Sequence, residues 1–183
     1  TRYPLDGPLK TAVTSAELPL INIMPTLAYK ISDSLSVGVA ANVYTFASFL
    51  GEGHVEQQQV SGGLAGIPAG GFIELNGAGT GAGVTVSMLY APVKNNAGKP
   101  IVSFGVVYRS QAVVPLDGVL LVNGAKIADA STDLVLPQRF KGAIALWPVR
   151  TRENEWKVEL DLEYVGWSSN RNLDVRLSNG AMI

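Results

Sequence analysis

WKVELDLEYVGWSS, residues 156–169, decides how the rest of the chain is read. Trp156, Val158, Leu160, Leu162 and Tyr164 alternate with Lys157, Glu159, Asp161 and Glu163. Successive side chains of an extended strand point to opposite sides, so this segment has one oily face and one charged face. The fold follows from what each face meets.

The whole chain leans the same way. Of its 183 residues 47% are hydrophobic and only 16% charged, with a formal net charge of -1. Soluble domains carry nearer 25% charged residues. No apolar run is long enough for a membrane-crossing helix, but spanning strands leave a much weaker mark. Near-zero net charge without a basic cluster argues against nucleic acid as a partner. There is no cysteine, hence no disulfide or thiolate metal site. The opening TRYPLDGPLK shows no signal-peptide pattern, and a piece of a longer chain is expected.

Twenty glycines and ten prolines are spread throughout, and no segment holds a helical apolar period. Three hairpins stand out. LINIMPTLAYKI (20–31) precedes LSVGVAANVYTF (35–46), GAGVTVSMLYA (81–91) precedes IVSFGVVYRSQAVV (101–114), and QRFKGAIALW (138–147) precedes WKVELDLEYVGW (156–167). Short polar turns join each pair. NLDVRLS (172–178) reads as a seventh strand. The segments between hairpins, 47–70 and 115–136, are long.

Outer-membrane barrels alternate short and long connections in this way. A soluble sandwich also accommodates the alternation, with its oily faces packed together and its polar faces solvated. Aromatics bear on the choice. Tyr29, Tyr90, Trp147 and Trp156 lie near short turns, and Tyr108, Tyr164 and Trp167 near the opposite strand ends, as two interfacial girdles would. Trp156 to Tyr164 spans roughly 26 Å at about 3.3 Å per residue, which suits an apolar band about 25 Å tall.

LAYKISDSLSVGVAANV (27–43), NGAGTGAGVTVSMLYAP (76–92), VVYRSQAVVPLDG (106–118), the LPQ at 136–138 and LDLEYVGWSS (160–169) occur in a telling order. By that order and spacing, residues from about 18 to 180 resemble the outer-membrane long-chain fatty acid and hydrocarbon transporters of the FadL type. The resemblance implies a fourteen-stranded barrel with an N-terminal plug and lateral delivery of apolar ligands. This chain, about seven strands without plug or closing strands, then reads as a single partial β-barrel domain over residues 1–183. It implies a bacterial outer-membrane location, contact with outer-membrane lipid and a monomeric full-length barrel. It also implies passive transport of hydrophobic molecules rather than catalysis. Long-chain fatty acids are the first expectation, with uncharged aromatic or aliphatic hydrocarbons, or a soluble all-β binding module, as alternatives. One departure bears on the ligand. Fatty acid carriers of this type place a basic residue just beyond the strand matching 35–46, whereas this chain reads TFASFLGEGHVEQ, with Glu52 and no Lys or Arg.

Little else signals chemistry. His54, the only histidine, has no nucleophile-elbow pattern beside it and reads as a loop residue. GAGTGAG (77–83) contains GxGxxG but leads into a strand, so its glycines are expected to bend a strand or admit a close chain crossing. Glu159, Asp161 and Glu163 lie about 6.6 Å apart on one strand face. With Arg139, Lys141, Asp174 and Arg176 they are expected to form a charge ladder across a wet lumen. Arg109 is the candidate cation on the ligand path. Phe46, Phe49, Leu50 and Phe72 are the apolar candidates for first capture. No catalytic residue, metal site or cofactor is expected.

Overall fold

The computed structural model describes residues 2–47, 53–63, 67–169, 174–180 and 182. Apart from one short 3-10 turn, the regular structure of the described residues is antiparallel strand, in two sheets.

The first sheet contains β2 (Ile21–Ile23), β3 (Thr26–Lys30), β4 (Leu35–Thr45), β7 (Gly81–Lys94), β8 (Pro100–Arg109), β11 (Arg139–Arg150) and β12 (Glu155–Val165). Its order is β12-β11-β8-β7-β4, with β2 and β3 both pairing β4. Those two are halves of one stave, broken at Met24-Pro25 because proline has no N–H for the ladder. The expected hairpins at 20–46 and 138–167 are present, and the one expected over 81–114 is present as far as Arg109.

The register carries the alternation across the whole sheet. Tyr164, Phe140, Tyr108, Val86, Val39 and Leu27 form one rung. Leu162, Gly142, Val106, Met88, Val37 and Tyr29 form the next. On β12 the five alternating apolar residues are each between 59% and 69% exposed, so none of the described residues covers that face. The intervening rungs are mixed and polar: one runs Glu163, Lys141, Val107, Ser87, Gly38, Ala28.

The second sheet takes the order β1-β5-β6-β9-β10-β13, from β1 (Ser15–Glu17), β5 (Val55–Val60), β6 (Phe72–Ala78), β9 (Ala112–Val122), β10 (Ala125–Leu136) and β13 (Arg176–Leu177). Here the sequence reading needs correction. The segments 47–70 and 115–136, expected as long connections, contribute strands β5, β9 and β10. The expected strand 101–114 is two strands, one in each sheet, parted at Ser110-Gln111. Of the expected seventh barrel strand, 172–178, residues 172 and 173 lie outside the described residues, and β13 pairs β10 in the second sheet. Local alternation continues through a corner, so pattern alone does not mark where a ribbon changes sheet.

The corner is closely packed. Tyr44, Ala112, Val114 and Leu116 form a buried cluster, with Leu20, Phe46, Val55, Leu134 and Leu136 against it. Tyr44 lies on the polar face of β4, so the second sheet leans over that face and leaves the apolar one bare. This arrangement is the reverse of a sandwich, whose oily faces meet each other. The expected strand bend at GAGTGAG is a close crossing: a Cβ on Gly79 would lie 1.7 Å from the Pro115 carbonyl oxygen, and one on Gly81 2.4 Å from that of Val113.

Candidate ligand path

Two cavities and a polar row lie on the covered side. In the second sheet, a cavity of about 210 Å³ is lined by Leu18, Val55, Leu75, Leu116, Leu134 and Val175, with Glu17, Glu56, Gln57 and Asn76 among its polar residues. Its acids are engaged: Arg2 pairs with Glu17 at 3.0 Å, and His54 lies 3.8 Å from Glu56. His54 thus sits at the foot of β5 and serves the second sheet. Phe72 opens β6, where its N–H donates to the Asn123 side chain at 2.8 Å. Phe46 packs into the corner cluster, while Phe49 and Leu50 lie outside the described residues.

The polar row runs obliquely across the first sheet. Asn22 donates to Asn42 at 3.2 Å, and Asn42, fully buried, donates to Thr85 at 2.8 Å. Thr85 stands opposite Arg109, and Arg109 opposite Arg139. Arg139 and Lys141 then share Glu163, at 3.7 and 3.4 Å. Arg109 is the exception in this row. Its Nε is out of water and meets no acceptor among the described residues. Arg109 and Arg139 help line a second cavity, of about 190 Å³, with Leu20, Asn22, Tyr44, Leu136 and Pro137, at the junction of the sheets.

The residues expected as a ladder divide between the two sheets. Arg139, Lys141, Glu159, Asp161 and Glu163 share the polar face, and Lys157 pairs with Glu159 there. Asp174 and Arg176 belong instead to the second sheet, beside Asp117 and Asp133, because β13 leaves the barrel wall.

Trp147 also needs correction. Trp147 keeps the parity of Arg139, Lys141 and Ala145 and so lies on the polar face, and a bulge at Trp147-Pro148, set against Lys157 alone, then places Val149 opposite the outward Trp156. There Arg150 lies 4.3 Å and Lys157 5.6 Å from the ring centre, both within cation–π reach. Tyr29 and Trp156 remain outward at the same end, and Tyr90 stacks on Phe104 with ring centres 6.4 Å apart. At the other end Tyr164 and Trp167 are exposed, and the Tyr108 hydroxyl donates to Gln138. What sequence reasoning missed was the adjacency of Arg109 and Arg139. They are thirty positions apart, and only the β8–β11 register brings them together.

Residues 9–183 match the family described as outer membrane protein transport protein (OMPP1/FadL/TodX). Among solved structures, a Pseudomonas aeruginosa FadL homologue is similar over 100% of this chain and 46% of its own, with a TM-score of 0.76 and 14% identity. The Ralstonia pickettii toluene transporter TbuX is similar over 89% of this chain and 46% of its own, with a TM-score of 0.59 and 17% identity. At such identities the likeness establishes the fold, and this chain spans less than half the length of either structure. Among curated proteins none matches the chain.

Proposed function

Because the chain belongs to the outer membrane transport family OMPP1/FadL/TodX, we propose that it forms part of an outer-membrane barrel that passively carries hydrophobic molecules inward. The observation that carries this reading is the pairing of a bare apolar face with a largely apolar cavity of about 210 Å³ on the covered side. The first feature suits lipid, and the second suits an oily ligand in transit. Burying an alkyl chain yields about 0.8 kcal/mol per CH₂, so short apolar stops keep each binding step weak enough to reverse.

Long-chain fatty acids are the first substrate class, supported by Arg109, Arg139 and Lys141 on the polar face. A specific observation favours a second class. Glu17 and Glu56 line the apolar cavity, and residues 45–60 include no Lys or Arg. Among the described residues no Lys or Arg lines that cavity to receive a carboxylate, whereas an uncharged hydrocarbon needs none. The outer-membrane barrel is expected to act as a monomer in contact with lipid.

Uptake by cells with and without the intact parent gene tests the reading. Radiolabelled oleate and toluene should enter faster when the gene is present, oleate by the larger factor. Equal entry of both in the two strains would overturn transport, and enhancement of toluene alone would select the second class.

A further inference from the structure

We infer that the three short turns of the first sheet form a basic rim that docks anionic phospholipid head groups in the leaflet at their end of the barrel. The inference rests on the membrane placement proposed above and takes nothing from the transported ligand. Outer-membrane barrels keep their short turns on the periplasmic side, where the leaflet is phospholipid. The rim consists of successive turns on adjacent staves, β3–β4, β7–β8 and β11–β12, whose pairing with one another is unbroken.

The charge of these turns runs against that of the chain. Residues 30–35, 94–100 and 150–155 hold five basic side chains and three acidic ones, while the remainder holds nine basic and twelve acidic. Two of the three acids are engaged within the rim: Lys30 pairs with Asp33, and Arg150 lies 3.6 Å from Glu155. Lys94, Lys99 and Arg152 stand exposed.

The rim is also ordered. Ser32 Oγ accepts the Leu35 N–H at 3.1 Å, Asn95 Oδ1 the Lys99 N–H at 2.9 Å, and Thr151 Oγ1 the Asn154 N–H at 3.0 Å. Each turn is thus closed by one of its own side chains. Between turns, Lys94 donates to the Asp33 carbonyl oxygen and Asn95 to that of Arg150 at 3.1 Å, while Arg150 donates to that of Pro100. A head group that binds across turns already tied together orders little that was free. An ammonium carries three protons, so Lys94 keeps donors for a phosphate oxygen.

Depth in the bilayer supports the same occupant. Tyr29 and Trp156, exposed on the apolar face, mark the head-group level at this end. Lys30 follows Tyr29 directly and Lys94 follows Tyr90 by four residues, so the cations begin within about 13 Å of strand beyond the rings. That range is the level of the lipid phosphates. A zwitterionic head group brings a cation of its own to the rim and an anionic one does not, so the rim favours the anionic lipid.

The test places a bimane label at Val93, through Val93→Cys, in the intact parent protein freed of any other cysteine and held in lipid nanodiscs. Val93 stands opposite Val102 on the apolar face, next to Lys94. Quenching by phosphatidylglycerol with brominated acyl chains is compared with quenching by the matching phosphatidylcholine. The anionic lipid should be preferred about fivefold in low salt, the factor that one cation contributes beside an anionic surface. The preference should fade as salt rises. Lys99→Gln combined with Arg152→Gln should bring the ratio to about one. Quenching by phosphatidylcholine should stay unchanged, which serves as the folding control. The same label at Phe140, at the far end of β11, should show no preference. Equal quenching by the two lipids at Val93 would overturn the inference and leave the charge to an acidic protein of that compartment. An equal preference at Phe140, or one that survives both substitutions, would also overturn it. If the double variant fails the folding control, the contrast between Val93 and Phe140 and its salt dependence decide. Failed uptake with the preference intact would sink transport alone, and uptake without the preference would sink the rim alone.

Discussion

At Gly79 and Gly81 the absence of a side chain is a steric requirement of the corner between the sheets. A Cβ at Gly79 would fall 1.7 Å from a backbone oxygen, which no rotamer relieves. Gly81→Ala should cost on the order of 1–3 kcal/mol, and Gly79→Ala more, because the neighbour that must move is backbone. Gly142 on the bare face is the control: an added Cβ would meet its nearest neighbour at an ordinary 3.9 Å. Urea unfolding of the three variants of the parent protein in micelles checks the order. Equal midpoints would refute the crossing. The sequence already showed a glycine-rich stretch leading into a strand, but not which carbonyls it passes. Pro115 and Val113 are more than thirty residues downstream of those glycines, and contact over that separation leaves no local trace.

At the scale of the element, β12 and its turns show how far a period of two can be trusted. Leu160 and Asp161 are neighbours in sequence on opposite faces of one strand. Leu160→Arg, toward mid-membrane, should cost about 2–4 kcal/mol, whereas Asp161→Asn should be nearly neutral on a wet face. Unfolding of both variants in lipid would show this; equal costs would remove the distinction between the faces. The same rule places Trp147 with Arg139, Lys141 and Ala145 on the polar face, against the girdle expected of it, and fails only beyond, where a bulge inserts one residue and sets Val149 opposite Trp156. Pro148 was the visible signal, since a proline within a strand is confined to edges and bulges. β7 repeats the device at Ala91-Pro92, where its register with β8 shifts between Tyr90 and Val93. The turn between β3 and β4 adds a dependence on pH. The Lys30 ammonium, bonded to Asp33 and helped by Lys94, holds that carboxyl below the ordinary aspartate value. A carboxyl lowered on folding stabilises above its unfolded pKa and loses that contribution as pH falls through the folded one. Protection of the Leu35 amide, taken relative to its intrinsic exchange rate, should therefore hold through the normal aspartate range and fall below it. In Asp33→Asn that acid step should vanish; its persistence would assign it to another group.

At the scale of the molecule, what matters is the side on which the second sheet lies. It covers the polar face near Tyr44, Asn42 and Gly83 and leaves the apolar rungs without a protein partner among the described residues. That removes the soluble sandwich, which needs those rungs as its core. Spin labels at Leu160 and Asp161 of the intact parent in bilayers should respond differently, Leu160 to oxygen and Asp161 to a water-soluble nickel complex. Shielding of Leu160 from both would mean a protein-covered face. The two margins of the first sheet, β12 and the broken β2/β3 stave, are unpaired edges among the described residues. Lipid supplies no hydrogen bonds for such edges, so the barrel requires further strands to close it.

The sequence by itself determined the two-faced character of each strand, the three hairpins of the wall, and an outward surface that is apolar from stave to stave. It also carried the family, through motifs in order along the chain. All of these depend on residues one or two positions apart, or on a hairpin's short turn. Only the tertiary structure decided that 55–60, 72–78, 112–122 and 125–136 build a second sheet, that Val149 beyond the bulge stands opposite Trp156, and that Arg109 faces Arg139. Pairing between distant strands is set by register, and a slip of one residue moves every side chain to the other face, so local alternation cannot specify it.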